Sequence, residues 1–404
     1  MKKSLLAVAV AAALPAVAHA QSSVTLFGIM DASVEYSNAN ANASTPPVAT
    51  GATALPFQEG KAGLRLNSGT QSGSRFGVRG SEDLGGGLKA IFTLEHGFDL
   101  STGDTGGGSP FLLAGQTATT TDNKFWNRQI FVGLEGRWGA LTMGRQYSPL
   151  FWALLPADFS GYTLYNNWAA STGSNTGAAG TAIVQGPFRL DNSLSFKSPT
   201  MGGLTVYGVY AFGENLTNNP VGSTIPGSAQ AGTGDIWGLA AGWQLGGLYL
   251  TAGYHSIDRK TVAGATATAA PLVGIVLQDV TALAASYRWT NFGLSLGYTS
   301  LNYEQRTAAA LATPSIKNTL ISGFANLGPG QLLLNVVRAD FTDVIGAANT
   351  AKIQFGLGYT VPLSKRTNWY VAYGKNDYSG AQSPTAAVKV DSQQRFSVGI
   401  RHLF

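Results

Sequence analysis

The sequence predicts an all-β protein, a transmembrane up-and-down antiparallel β-barrel of sixteen strands. Three observations carry that expectation: strict two-residue alternation, connections that are by turns short and long, and an export signal without any apolar run suited to a spanning helix. The signal stands first in the chain. Met1-Lys2-Lys3 is a basic start, residues 5–14 are apolar, and Ala18-His19-Ala20 fits the small-residue cleavage pattern. Residues 1–20 are therefore read as a cleaved secretory peptide, and residues 21–404 as one domain, the barrel.

Composition narrows the function classes. Only 12% of the 404 residues are charged, about half the usual share for a soluble domain. Lys and Arg number 26 against 21 Asp and Glu, with no long basic run, so nucleic acid is not an expected partner. Cysteine is absent, which excludes a disulfide framework and thiolate chemistry. The longest charge-free stretch, 262–278, is interrupted by Gly264, Pro271 and Gly274 and is no membrane helix.

Alternation sets the elements. In the first segment Val24, Leu26, Gly28, Met30, Ala32 and Val34 share a face, and Thr25, Asp31, Ser33 and Glu35 take the other. Leu88, Ala90, Phe92 and Leu94 oppose Lys89, Thr93 and Glu95 in the third. Phe292, Leu294, Leu296 and Tyr298 repeat the pattern, as do Ile353, Phe355, Leu357, Tyr359 and Val361. The last segment sets Phe396, Val398, Ile400, His402 and Phe404 against Arg395, Ser397, Gly399 and Arg401. Period two over about ten residues is the strand signal. Aromatics such as Tyr36, Tyr254, Trp289 and Tyr298 end these faces, as the two interfacial girdles of a membrane barrel require. In a soluble sandwich they would sit mid-core.

Connections separate the two rims. Residues 82–87, 136–139, 245–247, 290–291 and 328–330 are short turns, whereas 38–60, 99–124 and 213–234 are long and polar. The longest, 148–187, carries Leu150, Phe151, Trp152, Leu154, Leu155, Phe159, Tyr162, Tyr165 and Trp168. So apolar a loop is expected to pack into the barrel and not to wave in solvent.

Family motifs run the length of the chain. Ser22-Ser23-Val24-Thr25-Leu26-Phe27-Gly28, then Ser74-Arg75-Phe76-Gly77-Val78-Arg79-Gly80-Ser81-Glu82-Asp83-Leu84-Gly85-Gly86-Gly87-Leu88-Lys89-Ala90, open the series. Phe131-Val132-Gly133-Leu134, Gly144-Arg145-Gln146-Tyr147, Leu363-Ser364-Lys365-Arg366-Thr367 and Gly399-Ile400-Arg401-His402-Leu403-Phe404 follow. Together they resemble the trimeric general porins of β-proteobacteria. The resemblance implies a homotrimer in outer-membrane lipid and lipopolysaccharide, and a third long loop folded into the lumen. It also implies passive passage of small hydrophilic solutes, no enzymatic activity and no cofactor. The terminal Phe404 is similar to the signal read by the outer-membrane assembly machinery, and it also closes the last strand.

In such a channel function lies in pore radius and lumen charge. The resemblance assigns the basic wall of the constriction to Arg75, Arg128 and Arg189, with Arg145 nearby. Alternation supports Arg75 and Arg189, which stand opposite Phe76 and Leu190. Arg128 and Arg145 instead share parity with apolar residues, so either a bulge intervenes or those strands face another protein surface. Each arginine could also be a solvated rim residue in an ordinary ion pair. Asp158 is the one carboxylate of the third loop, and several arginines against it imply a preference for anions. A substrate-selective channel for sugars or carboxylates, with Trp152, Tyr162, Tyr165 and Trp168 as a stacking track, is the alternative.

Two patterns suggest chemistry without its context. Gly293-Leu294-Ser295-Leu296-Gly297 fits a nucleophile elbow, but it lies mid-strand, where Ser295 reads as a lumen-wetting hydroxyl. His96, His255 and His402 are isolated and fit no zinc spacing, so no metal is expected.

Overall fold

The computed structural model describes residues 22–43, 63–104, 125–162, 176–177, 181–182, 189–212, 235–258, 274–306, 311–313, 315–342, 350–379 and 388–404. Residues 1–20, read above as a secretory peptide, most of the long connections, and Tyr165 and Trp168 lie outside the described residues.

Sixteen strands follow one another around a ring. They are β1 (Ser23–Ala43), β2 in two segments (Gly63–Ser68 and Arg75–Gly85), β3 (Leu88–Gly97), β4 (Gln129–Gly136) and β5 (Gly139–Tyr147). A short helix α1 (Pro149–Leu154) precedes β6 (Arg189–Lys197), β7 (Leu204–Ala211), β8 (Ile236–Leu245) and β9 (Leu248–Asp258). The wall continues through β10 (Gly274–Arg288), β11 (Phe292–Arg306), β12 (Ser315–Leu327) and β13 (Gly330–Thr342). It ends with β14 (Thr350–Pro362), β15 (Thr367–Ser379) and β16 (Val388–Leu403).

Each strand pairs antiparallel with the next, and β1 pairs with both β2 and β16, so the sheet closes on itself. Closure matters physically: in hydrocarbon every backbone N–H and C=O must find a partner within the protein, and a closed barrel leaves no edge. The last residue takes part, since Phe404 and Gly28 exchange backbone hydrogen bonds of 3.0 and 3.1 Å.

The predicted alternation is the wall's inside-out pattern. Met30, Val34 and Tyr36 are exposed while Asp31, Ser33 and Glu35 between them are buried. Leu294, Leu296 and Tyr298 are exposed about a buried Ser295, and Phe396, Val398 and Ile400 about Arg395 and Ser397. Beside the short turns stand Trp138, Trp243, Trp289 and Trp369, and toward the other end Tyr36, Tyr210 and Trp237. These are the two aromatic girdles.

Two expectations need correction. Residues 38–43 read as loop because Asn and Ala alternate there with no apolar face, yet β1 continues through Ala43, each residue paired on β16. Backbone pairing extends the strand. Ser295 is no wetting group either: it is 1% exposed, and its hydroxyl donates to the Ala285 carbonyl at 3.2 Å.

Candidate functional site

Three of the four singled-out arginines meet at one place. Glu95, on β3, is buried and accepts Arg128 Nε on Oε1 at 2.6 Å, with Arg75 Nη1 at 3.4 Å. Its other oxygen accepts Gln129 Nε2 at 2.7 Å. The Tyr147 hydroxyl oxygen accepts Arg128 Nη2 at 2.6 Å and Arg189 Nη2 at 2.8 Å. The Arg189 guanidinium also stands 4.5 Å above the Tyr147 ring, which a cation favours electrostatically. One carboxylate therefore serves two of the three guanidiniums, the third rests on Tyr147, and the cluster keeps an excess of positive charge.

Local backbone explains how these side chains converge. Arg75 opens the second segment of β2, paired with Ile29 and Gly97. Arg128 precedes the first ladder residue of β4, so period two does not yet bind it, and its parity with Ile130 carries no meaning. It lies across Gly97, where any Cβ would sit 2.9 Å from Arg128 Cδ. Only glycine leaves that path open.

Arg145 borders this cluster but pairs elsewhere, beside an irregularity. The β5–β6 register shifts between Gly144 and Gln146, and Gly144 has φ +132, which a side chain rarely adopts. Arg145 pairs with Ile130, whose side chain is exposed, donates to the Asn127 carbonyl at 2.9 Å, and forms an ion pair with Asp191. On β6 the face assignment also breaks. Asn192 has φ 51 at the same shift, and Leu190 is buried with Val209, Ala211, Ile236 and Ile257 instead of facing outward. A bulge, the first of the two possibilities left open, is the answer here.

The connection after β5 starts in this site. Tyr147 stacks on Phe151 with ring centroids 3.8 Å apart. Ser148 caps α1 by accepting the Phe151 N–H at 3.3 Å, and Pro149 suits the first turn. Leu150, Ala153 and Leu154 of the helix pack with Ala240, Tyr249, Val280, Ala282 and Ala284 of β8–β10, positions that alternate with exposed Leu239, Leu250 and Leu283. Tyr249 donates its hydroxyl to the Ala153 carbonyl at 2.8 Å.

Asp158 lies at the far end of this segment. It accepts Ser160 N–H at 2.9 Å, Ser160 Oγ at 2.7 Å, Tyr162 N–H at 3.2 Å and Asn335 Nδ2 at 2.9 Å. Burial pushes its carboxyl up, against the lowering by those bonds. The next residue, Phe159, donates its N–H to Ser322 Oγ at 3.1 Å, so β12 and β13 hold this end. Tyr162 is buried and donates to the Phe151 carbonyl at 3.1 Å; it is a packing residue and no part of an open aromatic track.

Glu95, Gln129 and Tyr147 were not singled out from sequence. Glu95 was on the polar face of β3, which was a signal. Tyr147 gave none, since its role depends on the chain turning at Ser148. Among the described residues no group of three or more His, Asp or Glu side chains could hold a metal ion.

A closed barrel of sixteen strands with an apolar belt and a charged interior defines a passive outer-membrane pore. The chain belongs to the Gram-negative porin family, whose model matches residues 7–381. It is 32% identical to outer membrane porin protein 32 of Delftia acidovorans and 27% identical to an outer membrane porin protein of Bordetella pertussis, over the full length of both chains in each case. Among solved structures it is similar to the anion-selective porin from Comamonas acidovorans, with TM-score 0.66 and 26% identity over 95% of this chain and all of that one. OmpF of Salmonella typhi shares the fold at TM-score 0.59 and 17% identity, covering 94% of this chain and 97% of that one. The protein is thus an outer-membrane channel for passive diffusion of small hydrophilic solutes and ions.

Proposed function

We propose that this pore prefers anions and that Arg75, Arg128 and Arg189 form the selective wall. The observation that carries the reading is the charge count: Arg75 and Arg128 share one carboxylate, Glu95, Arg189 is held by the Tyr147 hydroxyl without a carboxylate, and Arg145 is matched by Asp191. Guanidinium stays ionised at any workable pH, and a narrow low-dielectric throat screens it less than open surface does. A positive field there concentrates anions and repels cations.

The narrowing itself is read as the connection after β5, folded into the lumen. Its start touches the arginine site through Phe151, and Asp158 and Phe159 bond to β12 and β13, about half the ring away. Between those points α1 packs on the inward residues of β8–β10, which supports a path along the inside of the wall. Asp158, buried and saturated with donors, offers passing ions little negative charge. A homotrimer, cleavage after Ala20, recognition of Phe404 by the assembly machinery, and the lack of enzymatic activity complete the proposal.

The test is electrical. Arg75→Ala with Arg189→Ala should move the zero-current potential in a potassium chloride gradient toward the cation side, with conductance equal or higher. An unchanged potential in the double variant would remove the arginine wall from the account.

A further inference from the structure

Strand β2 leaves the ladder between its two segments. Ala32 pairs with Ser68 and Ile29 with Arg75, so residues 69–74 face only Met30 and Asp31 on β1. That excess of chain is packed, not loose. Asp31, wholly buried, accepts the Gln71 N–H at 2.9 Å and the Ser72 N–H at 2.5 Å on Oδ2, and the Tyr370 hydroxyl at 2.5 Å on Oδ1. Thr70 Oγ1 lies 2.8 Å from Ser33 Oγ.

Gln71 reaches farther. Its side-chain carbonyl accepts Asn368 Nδ2 at 2.7 Å, and its amide nitrogen is 3.4 Å from Thr360 Oγ1. Those partners sit on β15 and β14, beyond β1 and β16, so the excursion runs over the inner face of the wall. Its other end abuts the arginines: a Cβ on Gly73 would be 3.4 Å from Arg128 Nη1. An ordinary ladder would line this wall with alternate side chains alone, whereas here a layer of backbone lies on top of them.

We infer that residues 69–74 form a second narrowing element of the pore, a shelf beside the arginine cluster, and that Asp31 is the positioning residue that holds it. The inference rests on the pore reading above. A buried carboxylate that accepts three donors fixes its partners firmly, and losing it leaves two backbone N–H groups and a hydroxyl to find others. The shelf spans β14 to β2, so it shapes the lumen between the Asp158 fastening on β13 and the arginines.

The chain has no cysteine, so Gln71→Cys introduces a single thiol. In planar bilayers this variant should conduct, and a sulfonated methanethiosulfonate should then produce a stepwise loss of single-channel current. Complete labelling, read by mass, with no change in current would overturn the shelf; so would a thiol that never labels in the open channel. Failure of the unlabelled channel to conduct would instead count against the pore reading. Asp31→Ala and Asp31→Asn give a second reading by sign. Losing one negative charge alone raises anion preference in both. Releasing the shelf raises conductance and loosens the arginines, lowering anion preference in Asp31→Ala only. Identical behaviour of the two variants would contradict the positioning role.

Discussion

Glu95 is the residue on which the arginine cluster depends. It lies between Arg75 and Arg128 with Gln129 on its second oxygen, and it is 4% exposed. Removing its charge has two consequences of opposite value to the protein. The field of the site becomes more positive, so Glu95→Gln should increase anion preference in bilayer recordings. The same change takes charge-assisted hydrogen bonds from two guanidiniums, each worth about 1.5–3 kcal/mol. A lower melting transition of the folded barrel in detergent, with stronger selectivity, is the expected pair of results. Unchanged stability would mean that water already satisfies these guanidiniums. Tyr147 has a similar role without charge, because one hydroxyl oxygen fixes two arginines at once.

At the scale of the element, the long connection is held at both ends and sits on apolar wall residues between them. The Asn335 amide is the far fastening: it donates to Asp158 at 2.9 Å and to Ser160 Oγ at 2.5 Å. Asn335→Ala should leave the barrel folded, since it removes no ladder bond, while the freed segment makes single-channel current noisier. A quiet channel of normal conductance would show that packing of Leu150 and Leu154 suffices. Strands were the legible part of this sequence because lipid outside and water inside force period two on every spanning residue. Irregularities escaped for the same reason. Alternation cannot register Gly144 and Asn192, where one strand gains a residue on its neighbour, nor the extra chain at 69–74. Leu190 was placed on the wrong face at such a point, whereas Arg75, which opens a regular segment, was placed on the correct one.

The whole molecule is asymmetric around its ring. Strands β3–β7 run 8–10 residues, and β10–β16 run 13–16. A low wall is suited to contact with protein in place of a full thickness of lipid. Its outer side carries the aromatic group of Phe76, His96, Phe98, Phe125 and Trp126, with Phe76–His96 centroids 5.3 Å apart and His96 stacked on Phe125 at 4.5 Å. Native mass measurement in mild detergent should therefore give a trimer, and monomers alone would contradict that part of the account. The central claim, that three guanidiniums against one carboxylate make this an anion-preferring pore, is tested most directly by the zero-current potential of the unaltered channel. In a potassium chloride gradient across a planar bilayer, that potential should have the sign set by chloride and hold it from neutral to alkaline pH. A potential with the sign set by potassium would contradict the claim.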